Sequence, residues 1–227
     1  MKFRKLKLYT NKLELEKRFY SDIFGFQIID ESSDSFSLKI GWSELTFEKS
    51  EIEHKYHYCF LIPSNKLKEA LEWLGKRIAV IAIENGRKIQ NFESWNADSF
   101  YFYDASGSVA EFIVRYDLNN NIEEEFDVSA VLGINEIGIA ANDIQQINKQ
   151  LQAELGTEFW KGDIKRFGTN GSQEGIFVMA NYKLKEIWFP TTLKITPEPF
   201  DAIIENKGKG YSVEFRNEEL KILHTKS

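Results

Sequence analysis

KLKLYTNKLELEKRFYSDIFGF, residues 5–26, carries two periodicities one after the other. Leu6 and Leu8 alternate with Lys5 and Lys7 and lead to Tyr9, the pattern of a strand with one buried face. After Asn11, a residue type suited to an N-cap, Leu13, Phe19, Tyr20, Ile23 and Phe24 form an apolar helical face. Gly25 then supplies a residue that ends helices readily, in the left-handed conformation. FGFQIID (24–30), SFSLKIG (35–41) and ELTFEKS (44–50) follow as three short strands divided by polar turns. The order is strand, helix, three strands.

The order then recurs. KYHYCFLIP (55–63) reads as a strand, and Ser64 or Asn65 precedes a helix whose Leu67, Ala70, Leu71 and Leu74 share one face. RIAVIAIEN (77–85), SFYFYD (99–104) and VAEFIVRYDL (109–118) complete a second unit of strands. The acidic stretch DLNNNIEEEFD (117–127) interrupts the pattern and reads as a linker over 119–127. Beyond it, INEIGIAAND (134–143) leads into a helix bearing Ile144, Ile147, Leu151 and Leu155. Placing Asn11 on Asn142 also places Leu13 on Ile144 and Gly25 on Gly156 without a gap, so the first unit repeats. GIFVMA (175–180), KEIWFPTTLKI (185–195) and GYSVEFRN (210–217) supply further strands, and PFDAIIENKG (199–208) is expected to be a helix of an abbreviated last unit. The fold class is α+β: tandem βαβββ units pairing into cup-shaped, barrel-like mixed sheets, each with a concave face able to hold a ligand. The expected domains are 1–118, with the candidate site, and 128–227, a degenerate second copy.

Composition narrows the function classes. The 227 residues carry a formal net charge of −6 with both signs interspersed, which argues against a nucleic-acid surface. One cysteine, Cys59, allows no internal disulfide and fits a reducing compartment. No apolar run approaches the roughly 20 residues of a membrane span, and the polar start is unlike a signal peptide, so a cytoplasmic location is expected. The 18 Phe, 9 Tyr and 5 Trp supply core and pocket walls. No P-loop, dinucleotide fingerprint or CxxC is present.

Residues 5–26, YHYCFLIP (56–63) and WNADSFYFYDASGSVAEFIVRYDL (95–118) resemble the opening, second-unit start and closing signature of glyoxalase/bleomycin-resistance/extradiol-dioxygenase proteins, the vicinal oxygen chelate superfamily. The likeness is weaker over 128–227. It implies metal ligands on the first and last strands of the units, facing into the cup, with an open position for substrate. Carried over, the ligands fall on Glu44, His57 and Glu111, with Glu111 also in a catalytic role, and the implied ion is Fe, Mn, Ni or Zn. Lys5 stands where the first-strand histidine belongs; it is no ligand, but is a potential salt-bridge partner for Glu111 in a metal-free cup. By strand alternation Cys59 shares the face of His57, and Lys5, Cys59, Tyr101 and Tyr103 are candidate pocket residues. In the second half Glu136 and Glu214 fall at ligand positions with no histidine between them, so that half is expected to be support. The implied activity is a metal-dependent lyase, isomerase or dioxygenase acting on a small molecule with vicinal oxygens. The alternatives are a metal-free cup that sequesters a small molecule and a scaffold whose cups are filled by its own side chains. A small-molecule partner and a homodimer are expected; a nucleic acid and a membrane are not.

Overall fold

The structure is a computed structural model that describes residues 1–225. Unit one runs β1 (Lys2–Thr10), α1 (Leu13–Arg18), β2 (Ile28–Glu31), β3 (Ser35–Ile40) and β4 (Ser43–Lys49). Unit two runs β5 (His57–Leu61), α2 (Leu67–Gly75), β6 (Gln90–Phe92), β7 (Ala97–Tyr103) and β8 (Val109–Arg115). Unit three is β9 (Gly133–Ala141), α3 (Ile144–Leu155), β10 (Phe159–Asp163), β11 (Phe167–Ser172) and β12 (Gly175–Asn181). The fourth has only strands: β13 (Phe200–Asn206), β14 (Lys209–Arg216) and β15 (Glu219–His224).

The two glycines that punctuate the repeat do equivalent work. Gly25 and Gly156 both sit at positive φ, +86° and +65°, and close their helices in the left-handed region where a Cβ is strained. The caps at the other end differ from the sequence reading. Lys12, not Asn11, precedes α1 and makes no side-chain cap, and Lys66 precedes α2, whereas Asp143 caps α3 through the N–H groups of Gln145 and Gln146. α1 continues as a π-helical turn over Phe19–Phe24 that buries Phe19, Tyr20 and Phe24.

Three segments differ from expectation. PFDAIIEN is strand β13 rather than a helix, because Phe200, Ala202, Ile204 and Asn206 turn inward in alternation with half-exposed neighbours. RIAVIAIEN forms no strand; Val80 and Ile83 are buried as a covering segment, and the Ile81 N–H donates to the Tyr101 carbonyl. An apolar run serves equally as a strand or as a cover. KEIWFPTTLKI is a loop held by one bridge, Ile187 with Lys194.

The strands form a seven-stranded sheet, order β15-β14-β13-β1-β4-β3-β2 (sheet A), and an eight-stranded sheet, order β10-β11-β12-β9-β5-β8-β7-β6 (sheet B). Antiparallel pairing of β1 with β13 joins the first unit to the fourth, and that of β5 with β9 joins the second to the third. Each sheet therefore draws on both sides of residues 119–127. The main core draws on both sheets and the helices: Leu6, Leu8, Phe36, Leu45 and Phe47 from A, and Tyr58, Phe60, Phe112 and Ile137 from B. The residues between these on the strands of sheet B face the opposite way, into a curled half-barrel.

Candidate functional site

Five strands of sheet B bring one rung of residues into line. Tyr101 of β7 pairs with Glu111 of β8, Glu111 with Cys59 of β5, Cys59 with Glu136 of β9, and Glu136 with Ile176 of β12. His57 lies two residues before Cys59 and therefore on the same face. Its Nε2 is 3.6 Å from Glu111 Oε2 and 3.7 Å from Glu136 Oε2, and all three side chains are buried. One donor atom from each lies within 4.8 Å of the others. The His57 Nδ1 is 3.3 Å from the Val109 carbonyl, which fixes the ring from behind when that nitrogen carries the proton.

A bulge makes the third position. The β5–β9 register shifts between Cys59 and Phe60, so Asn135 is an extra residue beside Glu136. Arg115, fully buried at the end of β8, donates from Nε to Asn135 Oδ1 at 2.9 Å and from Nη2 to Glu136 Oε1 at 2.5 Å. Its guanidinium lies over Trp95 and Trp160, 5.6 and 5.3 Å from their rings. Glu136 is thus held through one oxygen while the other faces His57. Glu111 has no arginine. Burial first, and then the charge of Glu136, push its pKa up to about 7 against the opposing pull of His57. Burial alone would lower the His57 pKa, but the contact with Glu136 and the charge of Glu111 outweigh it and raise the imidazole above its ordinary 6.5.

Above this cluster is a cavity of about 300 Å³. Its walls are aromatic: Phe92, Trp95, Tyr101, Phe167, Trp188 and Phe189. Trp188 comes from the 185–195 loop and lies over His57, ring centroids 5.1 Å apart. Gly138 permits this approach, since a Cβ there would stand 2.8 Å from the Trp188 ring.

The sequence-derived candidates are distributed as follows. His57, Glu111 and Tyr101 are together at the cavity. Cys59 is in the same rung but buried among Leu61, Ala97 and Ile113. Tyr103, at the end of β7, is exposed. Glu44 is not with His57: it lies on sheet A, where the parallel β1–β4 register sets it opposite Lys5 at 2.5 Å. The same ion pair takes Lys5 away from Glu111. The grouping of Glu44 with His57 and Glu111 is therefore corrected; the carboxylate beside them is Glu136, because unit two shares its sheet with unit three. The repeat places Glu136 at a ligand position, but within a half expected to be support. Glu214, on β14, belongs to sheet A. Nothing local in the sequence distinguished Arg115, Trp188 or Lys185. His54, away from this cavity, is half-buried and contacts Glu198 at 2.7 Å.

No protein-family model matches the sequence, and no curated protein does. Solved structures do. A protein from Bacillus subtilis assigned as a dioxygenase matches 99% of this chain and 84% of its own with a TM-score of 0.64 at 12% identity. A glyoxalase I mutant from Zea mays matches 98% of this chain and 92% of its own with a TM-score of 0.56 at 10% identity. A shorter glyoxalase/bleomycin resistance protein/dioxygenase from Alicyclobacillus acidocaldarius covers 52% of this chain and 96% of its own, at 17% identity and a TM-score of 0.43. At these identities the likeness is one of fold. The resemblance seen in residues 5–26 is borne out at that level: the chain has the fold of the glyoxalase/bleomycin resistance/dioxygenase superfamily, over 98–99% of its length.

Proposed function

We propose that the cup of sheet B is an enzyme active site in which His57, Glu111 and Glu136 hold one divalent metal ion. The observation that carries this reading is the convergence of one buried imidazole and two buried carboxylates, with donor atoms within 4.8 Å of one another. Two buried carboxylates face one imidazole, and the single arginine is spent on Glu136. Burying an unpaired carboxylate is costly, and a bound cation removes that cost. The donor set fits: one imidazole and two carboxylates suit Fe²⁺, Mn²⁺, Ni²⁺ or Zn²⁺, and the cavity leaves room for substrate beside them. When bound, the ion would act as a Lewis acid on an oxygen of the substrate. The protein's own groups do the rest. Arg115 orients Glu136, the Val109 carbonyl orients His57, the aromatic walls exclude water, and Glu111 is placed to exchange a proton with the ligand. With the full-length fold relatives named as a glyoxalase I and a dioxygenase, the reaction class is a lyase, isomerase or dioxygenase step on a small molecule with vicinal oxygens.

The test is elemental analysis of protein purified without a histidine tag. Near-stoichiometric transition metal is expected in the wild type and in Glu44→Ala, and its loss in His57→Ala, Glu111→Ala and Glu136→Ala. No metal after reconstitution under reducing conditions would sink the reading. One observation favours a second function in that event: His57 and Arg115 already contact both carboxylates, so the same aromatic cavity would serve as a metal-free binding pocket.

A further inference from the structure

The floor of the sheet B cavity is acidic and its walls are apolar, which leaves one lining residue unexplained. Among the described residues, Lys185 is the only lysine or arginine that lines the cavity. Its ammonium donates to the Ile187 carbonyl at 2.8 Å and stands 5.3 Å from the Phe167 ring centroid. Neither of these contacts carries a negative charge. Among the described residues Lys185 makes no carboxylate salt bridge, and what sets it apart from other such lysines is that it lines the cavity. The cation Arg166 acts on it electrostatically, and Arg166 in turn lies within reach of the Asp163 carboxylate. Burial, and then Arg166, lower the Lys185 pKa. A half-buried ammonium with a like charge beside it and hydrogen-bonding capacity left over is a site short of an anion.

We propose that Lys185 is the specificity residue of this cavity, taking the carboxylate or sulfonate of a flat, ring-bearing acid whose apolar body lies against the aromatic walls. The inference deepens the reading of the sheet B cup as a ligand site, but needs only the cavity and not the metal. The chemistry of the walls fixes the body of the ligand: aromatic side chains stack on rings and offer few polar partners. The floor sets the direction. An anionic group is repelled by Glu111 and Glu136 and attracted by Lys185, with the exposed Arg166 adding to the field.

Two fluorescent probes that differ in one group test this: anilinonaphthalene sulfonate and neutral phenyl-naphthylamine. Each is titrated into wild type, Lys185→Gln and Lys185→Arg at low and high salt, with Val178→Trp filling the cavity as a control and circular dichroism confirming folding. The expected result is that Lys185→Gln weakens the sulfonate probe roughly tenfold, the size of one charge-assisted hydrogen bond. The neutral probe should be unchanged, Lys185→Arg should restore binding, and added salt should weaken only the sulfonate probe. Equal effects on both probes, or none on either, would overturn the anchor. Binding that survives Val178→Trp, or no binding of either probe, would overturn the cavity reading and the anchor with it. Loss of the metal reading by elemental analysis, with charge discrimination intact, would leave the anchor standing.

Discussion

The two sheets place similar side chains at similar strand positions and give them different chemistry. On sheet A, Lys5 pairs with Glu44, Lys7 with Glu48 and Asp201, and Arg216 with Asp201, with side chains about a third exposed. On sheet B, His57, Glu111, Glu136 and Arg115 are almost wholly buried. Water and salt screen the first group, whose pairs settle into ordinary ion pairs. The second is held out of water, where burial and then the charge of Glu136 push the Glu111 pKa up to about 7. The difference arises in what lies over each face: the 185–195 loop lays Trp188 on His57, and Trp95 and Trp160 lie over Arg115. Burial, more than residue type, sets the sheet B cluster apart.

The comparison can be broken most forcefully at Arg115. Arg115→Met removes the only arginine of the buried cluster and leaves Glu136 with the His57 imidazole alone, so stability is expected to fall by about 3–5 kcal/mol, measured by denaturant unfolding. A loss below about 1 kcal/mol, the size of a surface pair, would show that the cluster is not electrostatically isolated.

A further buried carboxylate sharpens the point between the sheets. Glu16 of α1 accepts from the Ser106 N–H at 2.6 Å, while its other oxygen is buried without a hydrogen-bond partner. Asp104, which accepts from Tyr58, stands close enough to repel it, and Tyr20 bonds to Tyr58 in turn. Burial and then Asp104 raise the Glu16 pKa from 4.5 to about 9. The folded state therefore favours the protonated acid. Its contribution is whole below 4.5 and is lost as pH rises toward 9, so Tm is expected to fall across that window. Glu16→Gln should flatten the fall; an unchanged slope would mean that Glu16 is not its source. The size is that of a buried unsatisfied group, about 1–3 kcal/mol.

The smallest effect is expected on sheet A. A double-mutant cycle of Lys5→Ala and Glu44→Ala should give a coupling of roughly 0.2–1 kcal/mol that shrinks with added salt. A coupling of several kcal/mol would remove the contrast between the sheets.

Several site features were legible before the structure. The family resemblance points to His57 and Glu111, and the repeat that aligns Asn11 with Asn142 points to Glu136. The alternation in PFDAIIEN was also there to be read, since Phe200, Ala202 and Ile204 recur at every second residue, and the helix expectation overlooked it. RIAVIAIEN carried no such signal. Arg115 was illegible for another reason: an arginine ending a strand is ordinarily solvated, and only the bulge at Asn135 and the two tryptophans make this one buried.

The sequence by itself determined the local units. Helix and strand periods, the glycines at 25 and 156 and the polar breaks all act within a few residues of themselves, so they could be read without the fold. The tertiary structure decided which units share a sheet. β1 joins β13 and β5 joins β9, and no local pattern encodes that choice, because any strand edge offers the same backbone donors and acceptors. That pairing parted Glu44 from His57 and brought Glu136 to it, and with the covering loop it turned a row of ordinary polar residues into a buried cluster.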